Sequence, residues 1–174
     1  MDCFVPRNDD KMTRILVISD THGNHKILEE VLKINQDCEF LIHLGDEPDD
    51  LEYHTELTEN MQIFSVYGLY HRKWSEKNAA KRFNINGQDF MIAHAKQYLS
   101  IDEKDTIYCY GHTHHKYFYQ DEAIVIFNPG HLKNKTDRGE SAGYAIIEIG
   151  DRKTIYFFDL DHELIEQIEF TDIS

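Results

Sequence analysis

Ile15-Leu16-Val17-Ile18-Ser19-Asp20-Thr21-His22-Gly23-Asn24 is the stretch that decides how this chain folds. Its first four residues are an unbroken aliphatic run of strand length, which suits a parallel strand buried on both faces better than a half-exposed one. A carboxylate, a hydroxyl, an imidazole and a glycine come next. Asn24 can then cap a helix whose apolar stripe is Ile27, Leu28, Val31 and Leu32.

Working outward, the pattern predicts a second strand over 40–44, a short helix over 51–60 and a third strand over 63–67, so the first half reads βαβαβ. Beyond Trp74 helical periodicity fades, and short strands are expected at 83–85, 90–93, 107–110, 117–119 and 124–127. Closing antiparallel strands are expected at 144–149, 154–159 and 164–170. Residues 1–13 are polar, carry Pro6, Asn8, Asp9 and Asp10, and read as a flexible N-terminal arm before a single domain over 14–174.

Composition narrows the partners. The chain has 174 residues, 41% of them hydrophobic, enough for one core and no second. Thirty-two acidic against eighteen basic residues leave a net charge of −14, which repels phosphate backbones and anionic lipid. No nucleic acid and no membrane partner is therefore expected. Without an apolar run of about 18 residues or a secretory leader, a cytoplasmic protein is expected. The three cysteines, Cys3, Cys38 and Cys109, form no CxxC pair and read as free thiols.

The informative feature is where the reactive residues fall. Nearly every inner strand runs into a metal-capable group: the first into Asp20-Thr21-His22-Gly23, the second into Gly45-Asp46, the strand over 90–93 into His94, and that over 107–110 into Gly111-His112-Thr113-His114. In open α/β sheets, ligands bind outside the carboxyl ends of strands, where loops from several strands face one crevice. Any one of these fragments alone is common in structural or surface roles; the ordered set points to a metal centre. Mixed carboxylate and imidazole donors without thiolate suit Mn, Fe, Ni or Zn. Six donors exceed the three or four protein ligands of one catalytic zinc, so two divalent ions sharing one carboxylate is the economical account, with Asp46 as the shared group.

With these residues in view, the sequence resembles the calcineurin-like metallophosphoesterases, in particular the small bacterial and archaeal single-domain phosphodiesterases. The likeness spans about 14–149 and rests on Asp20-Thr21-His22-Gly23, Leu44-Gly45-Asp46, His94, Gly111-His112-Thr113-His114 and Asn128-Pro129-Gly130. It implies an α/β (α+β) fold, a four-layer αββα sandwich of two mixed β-sheets flanked by helices. It also implies that Asp20, His22 and His114 hold a first metal, that Asp46 bridges, and that His94 and His112 hold a second, with Mn the foremost candidate.

Two departures stand out. Relatives supply an asparagine ligand from a Gly-Asn-(His/Cys)-Asp segment, which here reads Gly68-Leu69-Tyr70-His71; Leu69 has no donor, and Tyr70 stands where relatives place a group near the leaving oxygen. The usual His-Gly-His is reduced to His94-Ala95-Lys96. The second metal should therefore bind more weakly, with His71 the candidate substitute donor.

The chemistry implied is hydrolysis of a phosphate ester, as phosphodiesterase or phosphatase, by a metal-activated water. The substrate expected is a small phosphorylated compound. His22 and Asp46 are the candidate catalytic residues, and Lys96, Arg138 and His71 are the candidate substrate-binding residues, with a solvated surface role as the alternative for Lys96 and Arg138. Glu47, Asp49 and Asp50 read either as acceptors that orient an imidazole or as a solvated loop, and a homodimer is compatible with the small size. The rival reading is a catalytically weakened or inactive scaffold of the same fold, as in the retromer subunit of this architecture. Leu69 and Lys96 favour the scaffold, whereas six retained donors favour an enzyme.

Overall fold

The computed structural model describes residues 12–121 and 124–170. The expected arm falls largely outside them, as does Cys3; Thr13 is already the first residue of a strand, paired with Ile149.

The first half follows the predicted alternation. Strand β1 (Thr13–Ile18) leads through the Asp20 turn to helix α1 (His25–Ile34), then β2 (Phe40–His43), α2 (Thr55–Thr58) and β3 (Gln62–Ser65). Asn24 caps α1 through its side chain, whose oxygen accepts the Ile27 N–H at 3.3 Å, and the helix buries Leu28, Val31 and Leu32. The single helix expected over 51–60 is instead a 3₁₀ turn, Pro48–His54, followed by the one-turn α2. Pro48 begins that turn, and Glu47 before it sits at φ 68°, so the chain enters tightly wound and supplies only short helical pieces.

The second half builds β4 (Ala80–Ile85), β5 (Gln88–Ala93), β6 (Thr106–Tyr110), β7 (Tyr117–Asp121) and β8 (Ile124–Asn128). A two-rung hairpin of β9 (Thr136–Asp137) and β10 (Glu140–Ser141), absent from the sequence expectation, precedes the closing strands β11 (Gly143–Ile149), β12 (Lys153–Asp159) and β13 (Leu164–Phe170).

These strands form two mixed sheets, ordered β13-β12-β11-β1-β2-β3 and β4-β5-β6-β8-β7. Alternation along β1 sorts its side chains: Ile15 and Val17 join Ile42, Ile92, Ile107, Phe127 and Phe157 between the sheets, while Leu16 and Ile18 pack with Leu28, Val31 and Leu32 of α1. The outer face of the second sheet carries Met91, Tyr108, Tyr110 and Ile126, covered by Leu99 beyond the 3₁₀ turn Lys96–Tyr98. The architecture is the four-layer αββα sandwich, with helices over the first sheet and a thin layer of 3₁₀ turns over the second. Cys38 and Cys109 are free and buried; burial pushes the Cys38 thiol up to about 11, which makes it a poor nucleophile. No helix among the described residues is long and apolar enough to cross a membrane.

Register brings the reactive loops together. Parallel pairing of β1 with β2, ending at Ile18↔His43, sets the Asp20 turn beside the Asp46 turn, and Asp20 N–H donates to Gly45 O at 2.9 Å. Parallel pairing of β5 with β6, ending at Ala93↔Tyr110, does the same for His94 and Gly111, whose N–H donates to His94 O at 2.9 Å. Bonds that join the sheets at this rim include His112 N–H to Asp20 Oδ2 at 3.0 Å and His94 Nδ1 with Leu44 O at 2.8 Å.

Candidate metal centre

The carboxyl ends of β1, β2, β5 and β6 converge on one cluster. Asp20, His22, Asp46 and His114 each place a donor atom within 4.8 Å of the others. His114 Nε2 lies 3.2 Å from Asp20 Oδ1 and 3.3 Å from His22 Nε2. Asp46 faces two ways. Its Oδ2 is 3.3 Å from His22 Nε2, and its Oδ1 is 3.3 Å from His94 Nε2, which in turn is 3.2 Å from His112 Nδ1. All six residues singled out from the sequence as donors therefore lie in one contiguous chain of contacts.

The backbone at this rim is unusual. Asp20 (φ 53°), His22 (φ 47°), Asp46 (φ 52°), His112 (φ 67°) and His114 (φ 66°) all occupy the left-handed region. Side chains there cost free energy, which neighbouring structure must offset, and such residues gather at functional sites. Part of the support comes from Asp50, whose Oδ2 accepts the Thr21 hydroxyl at 2.6 Å and the Gly23 N–H at 2.9 Å, bracketing His22. Buried His43 contributes as well: its Nδ1 accepts the Gly45 N–H at 3.2 Å, and burial pulls its pKa down to about 4. Its neutral Nε2–H then points toward Thr21 Oγ1 at 3.5 Å.

The donors fit a cation. His94 Nδ1 can only donate to the Leu44 carbonyl, so in the neutral ring Nε2 carries a lone pair facing the Asp46 carboxylate. Two electron-rich groups in contact need a positive charge between them. Asp20 Oδ1 is buried and, although 3.2 Å from His114 Nε2, accepts no well-aligned hydrogen bond, an orphaned oxygen of the kind a metal satisfies. Burial opposes ionisation of Asp20, but the protonated forms of His114 and His94, with the Ser19 hydroxyl, outweigh it and hold the carboxyl below its ordinary range. Burial pulls His22 and His112 downward, which keeps them neutral and able to ligate.

The other candidates have partners of their own. His71 stacks on Tyr67 at 4.6 Å between centroids, lies 3.4 Å from Asp49 Oδ2 and accepts the Lys73 N–H at 3.1 Å. Arg138 Nη1 donates to His112 O at 2.8 Å. Lys96 Nζ rests 5.1 Å from the Tyr117 ring centroid and 5.8 Å from that of Tyr110. Leu69 is partly buried, and Tyr70 is 95% exposed. Sequence reasoning missed Asp137, whose Oδ2 is 2.5 Å from His114 Nδ1; hydrogen bonding from Lys133 and His114 holds its carboxyl down at about 2. It lies in a polar stretch without periodicity, so no spacing rule could flag it.

The description "Calcineurin-like phosphoesterase superfamily domain" matches residues 13–152, and the chain belongs to that superfamily. It has, accordingly, a metal-dependent phosphoesterase fold. It is 25% identical over 134 residues to a probable metallophosphoesterase of Mycoplasma pneumoniae, covering 70% of this chain and 80% of that one. Among solved structures it is similar to Yfce, a phosphoesterase from E. coli (TM-score 0.71, 20% identity, 93% of this chain and 100% of that one). It is also similar to a Streptococcus pneumoniae protein described as a predicted phosphoesterase (TM-score 0.70, 24% identity, 92% and 98%). Vps29 of Entamoeba histolytica, crystallised with zinc, has the same fold (TM-score 0.67, 19% identity, 91% and 100%).

Proposed function

We propose that the chain hydrolyses a small phosphate ester, as a phosphodiesterase or phosphatase, at a centre of two divalent ions bridged by Asp46. The observation that carries this reading is the two-sided Asp46 carboxylate, with Oδ2 toward His22 and Oδ1 toward His94. Asp20, His22 and His114 hold the first ion, and His94 and His112 the second. Mn is the first choice, with Fe, Ni and Zn compatible with the same donors. When bound, the metal supplies an acidified water as nucleophile and positive charge for the phosphoryl oxygens.

The chain's own residues do the rest. His22, with 31% of its side chain exposed, is the donor best able to reach both metal and substrate. Lys96 makes no ion pair among the described residues, so its ammonium can swing from the tyrosine faces to a phosphate oxygen. Arg138, by contrast, spends its guanidinium on the carbonyls of residues 112 and 113, and serves to hold that loop. Leu69 offers the second ion no ligand, so that site fills only at higher metal concentration.

Metal analysis of the purified chain, followed by Mn-supplemented hydrolysis of a bis-aryl phosphodiester and an aryl monophosphate, tests the reading. Bound metal with turnover of either substrate is expected. Neither metal nor turnover would favour the scaffold that Leu69 suggests.

A further inference from the structure

Asp137 sits in the β9–β10 hairpin with 16% of its side chain exposed, against an imidazole that is wholly buried. Its Oδ2 lies 2.5 Å from His114 Nδ1. An ionised carboxylate only accepts, so this contact puts the proton of the neutral ring on Nδ1 and the lone pair on Nε2. Nε2 is the atom that faces Asp20 Oδ1 at 3.2 Å and His22 Nε2 at 3.3 Å.

The hairpin is itself fastened to the loop it serves. Lys133 Nζ reaches Asp137 Oδ1 at 3.0 Å, and Arg138 Nη1 donates to His112 O at 2.8 Å. His115 Nδ1 meets Glu140 Oε1 at 2.9 Å, and the buried His131 ring packs 5.0 Å from His114. The 112–115 loop is thus held by Arg138 and Glu140 of the hairpin and by His131 ahead of it, with Asp137 at the contact that reaches a donor ring's far nitrogen.

We infer that Asp137 is a positioning residue for the metal centre: it fixes the His114 tautomer and aims Nε2 at the ion, and the β9–β10 hairpin exists to hold it there. The inference rests on the metal-centre reading above. A carboxylate behind a ligating imidazole fixes ring orientation and raises ligand basicity, and its loss typically weakens metal binding about 10–100-fold. A carboxylate serving only Lys133 and Arg138 at the surface would do neither.

Nitrogen-15 histidine spectra of the full chain, free of metal and at about pH 9 where imidazole is neutral, read the tautomer directly. Calorimetric titration with Mn²⁺ reads affinity. The parent is expected to show His114 protonated on Nδ1, and Asp137→Ala to shift the ring toward the other tautomer and weaken the tighter Mn²⁺ site about 10–100-fold. Asp137→Asn, which keeps an acceptor oxygen, should restore the tautomer and part of the affinity. Asp137→Ser withdraws the carboxylate while keeping a polar hairpin residue, and replaces Asp137→Ala if that variant does not fold. An unchanged tautomer and Mn²⁺ affinity in Asp137→Ala or Asp137→Ser overturns the inference. A parent chain that binds no Mn²⁺ instead overturns the metal-centre reading, and the metal-free spectra still decide whether Asp137 sets the ring.

Discussion

The α-carbon of Gly68 lies against the Asp46 carboxylate. A methyl group at position 68 would fall on Asp46 Oδ1 and come within 2.9 Å of the Asp46 amide nitrogen. The chain leaving β3 is thereby packed onto the Asp46 carboxylate, and Asp46 is already held at φ 52° with little room to yield. Gly68→Ala should cost about 1–3 kcal/mol of stability, as overpacking does, and displace Asp46 from its contacts with His22 and His94. Urea unfolding and Mn²⁺ titration check both effects; parental values in each would mean that the loop shifts freely.

On the proposal that Asp46 is shared by two ions, removing it should cost both. In Asp46→Ala, His22 loses its 3.3 Å partner and His94 loses its own, so the first half of the cluster keeps Asp20 as its carboxylate and the second half keeps none. Metal content by mass spectrometry is expected to fall sharply, and phosphoesterase turnover at least about 100-fold. Retained turnover would take the bridging role away from Asp46.

Leu69 comes directly after Gly68 and is partly buried. Leu69→Asn places a neutral oxygen donor beside Gly68 and, on the two-ion reading proposed above, should tighten the weaker Mn²⁺ site about 10-fold, roughly 1.4 kcal/mol. Calorimetry separates the two sites. No change would mean that another group already completes the second ion's ligands.

Asp50 accepts from Thr21 Oγ1 at 2.6 Å and from Gly23 N at 2.9 Å. Asp50→Ala withdraws the acceptor from the buried Thr21 hydroxyl and the exposed Gly23 N–H on a turn whose Asp20 and His22 have positive φ, so the expected loss is about 1–3 kcal/mol, chiefly from Thr21. The unfolding temperature should fall by about 3–12 °C at this chain length. A shift under about 2 °C would show that water replaces the carboxylate.

His43 makes stability depend on pH. Burial lowers its folded pKa to about 4, whereas an unfolded histidine titrates near 6.5. Below about pH 6.5 the unfolded chain takes up a proton that the folded chain refuses, so stability falls with pH until about pH 4 and then levels for this group. The shift amounts to about 3 kcal/mol. Denaturant unfolding at several pH values, compared with His43→Asn, should show that portion of the slope vanish in the variant. An identical slope would assign the dependence to other groups.

The sequence alone settled the α/β class and the βαβαβ opening and picked out the six candidate donors, because each depends on short-range pattern. Apolar runs such as Ile15–Ile18 declare buried strands, and the residues next in the chain must lie at the carboxyl end of each run. The resemblance to the phosphoesterase family rests on the same strand-end residues. Tertiary structure alone decided how those ends meet: parallel register of β1 with β2 and of β5 with β6, and closure of two sheets on one core, bring Asp46 between His22 and His94. It also decided the left-handed backbone at Asp20, His22, Asp46, His112 and His114, which local preference disfavours and surrounding contacts such as those of Asp50 sustain. Asp137 belongs wholly to that second category, since a carboxylate twenty-three residues from His114 becomes its partner only when a two-rung hairpin folds back over the loop.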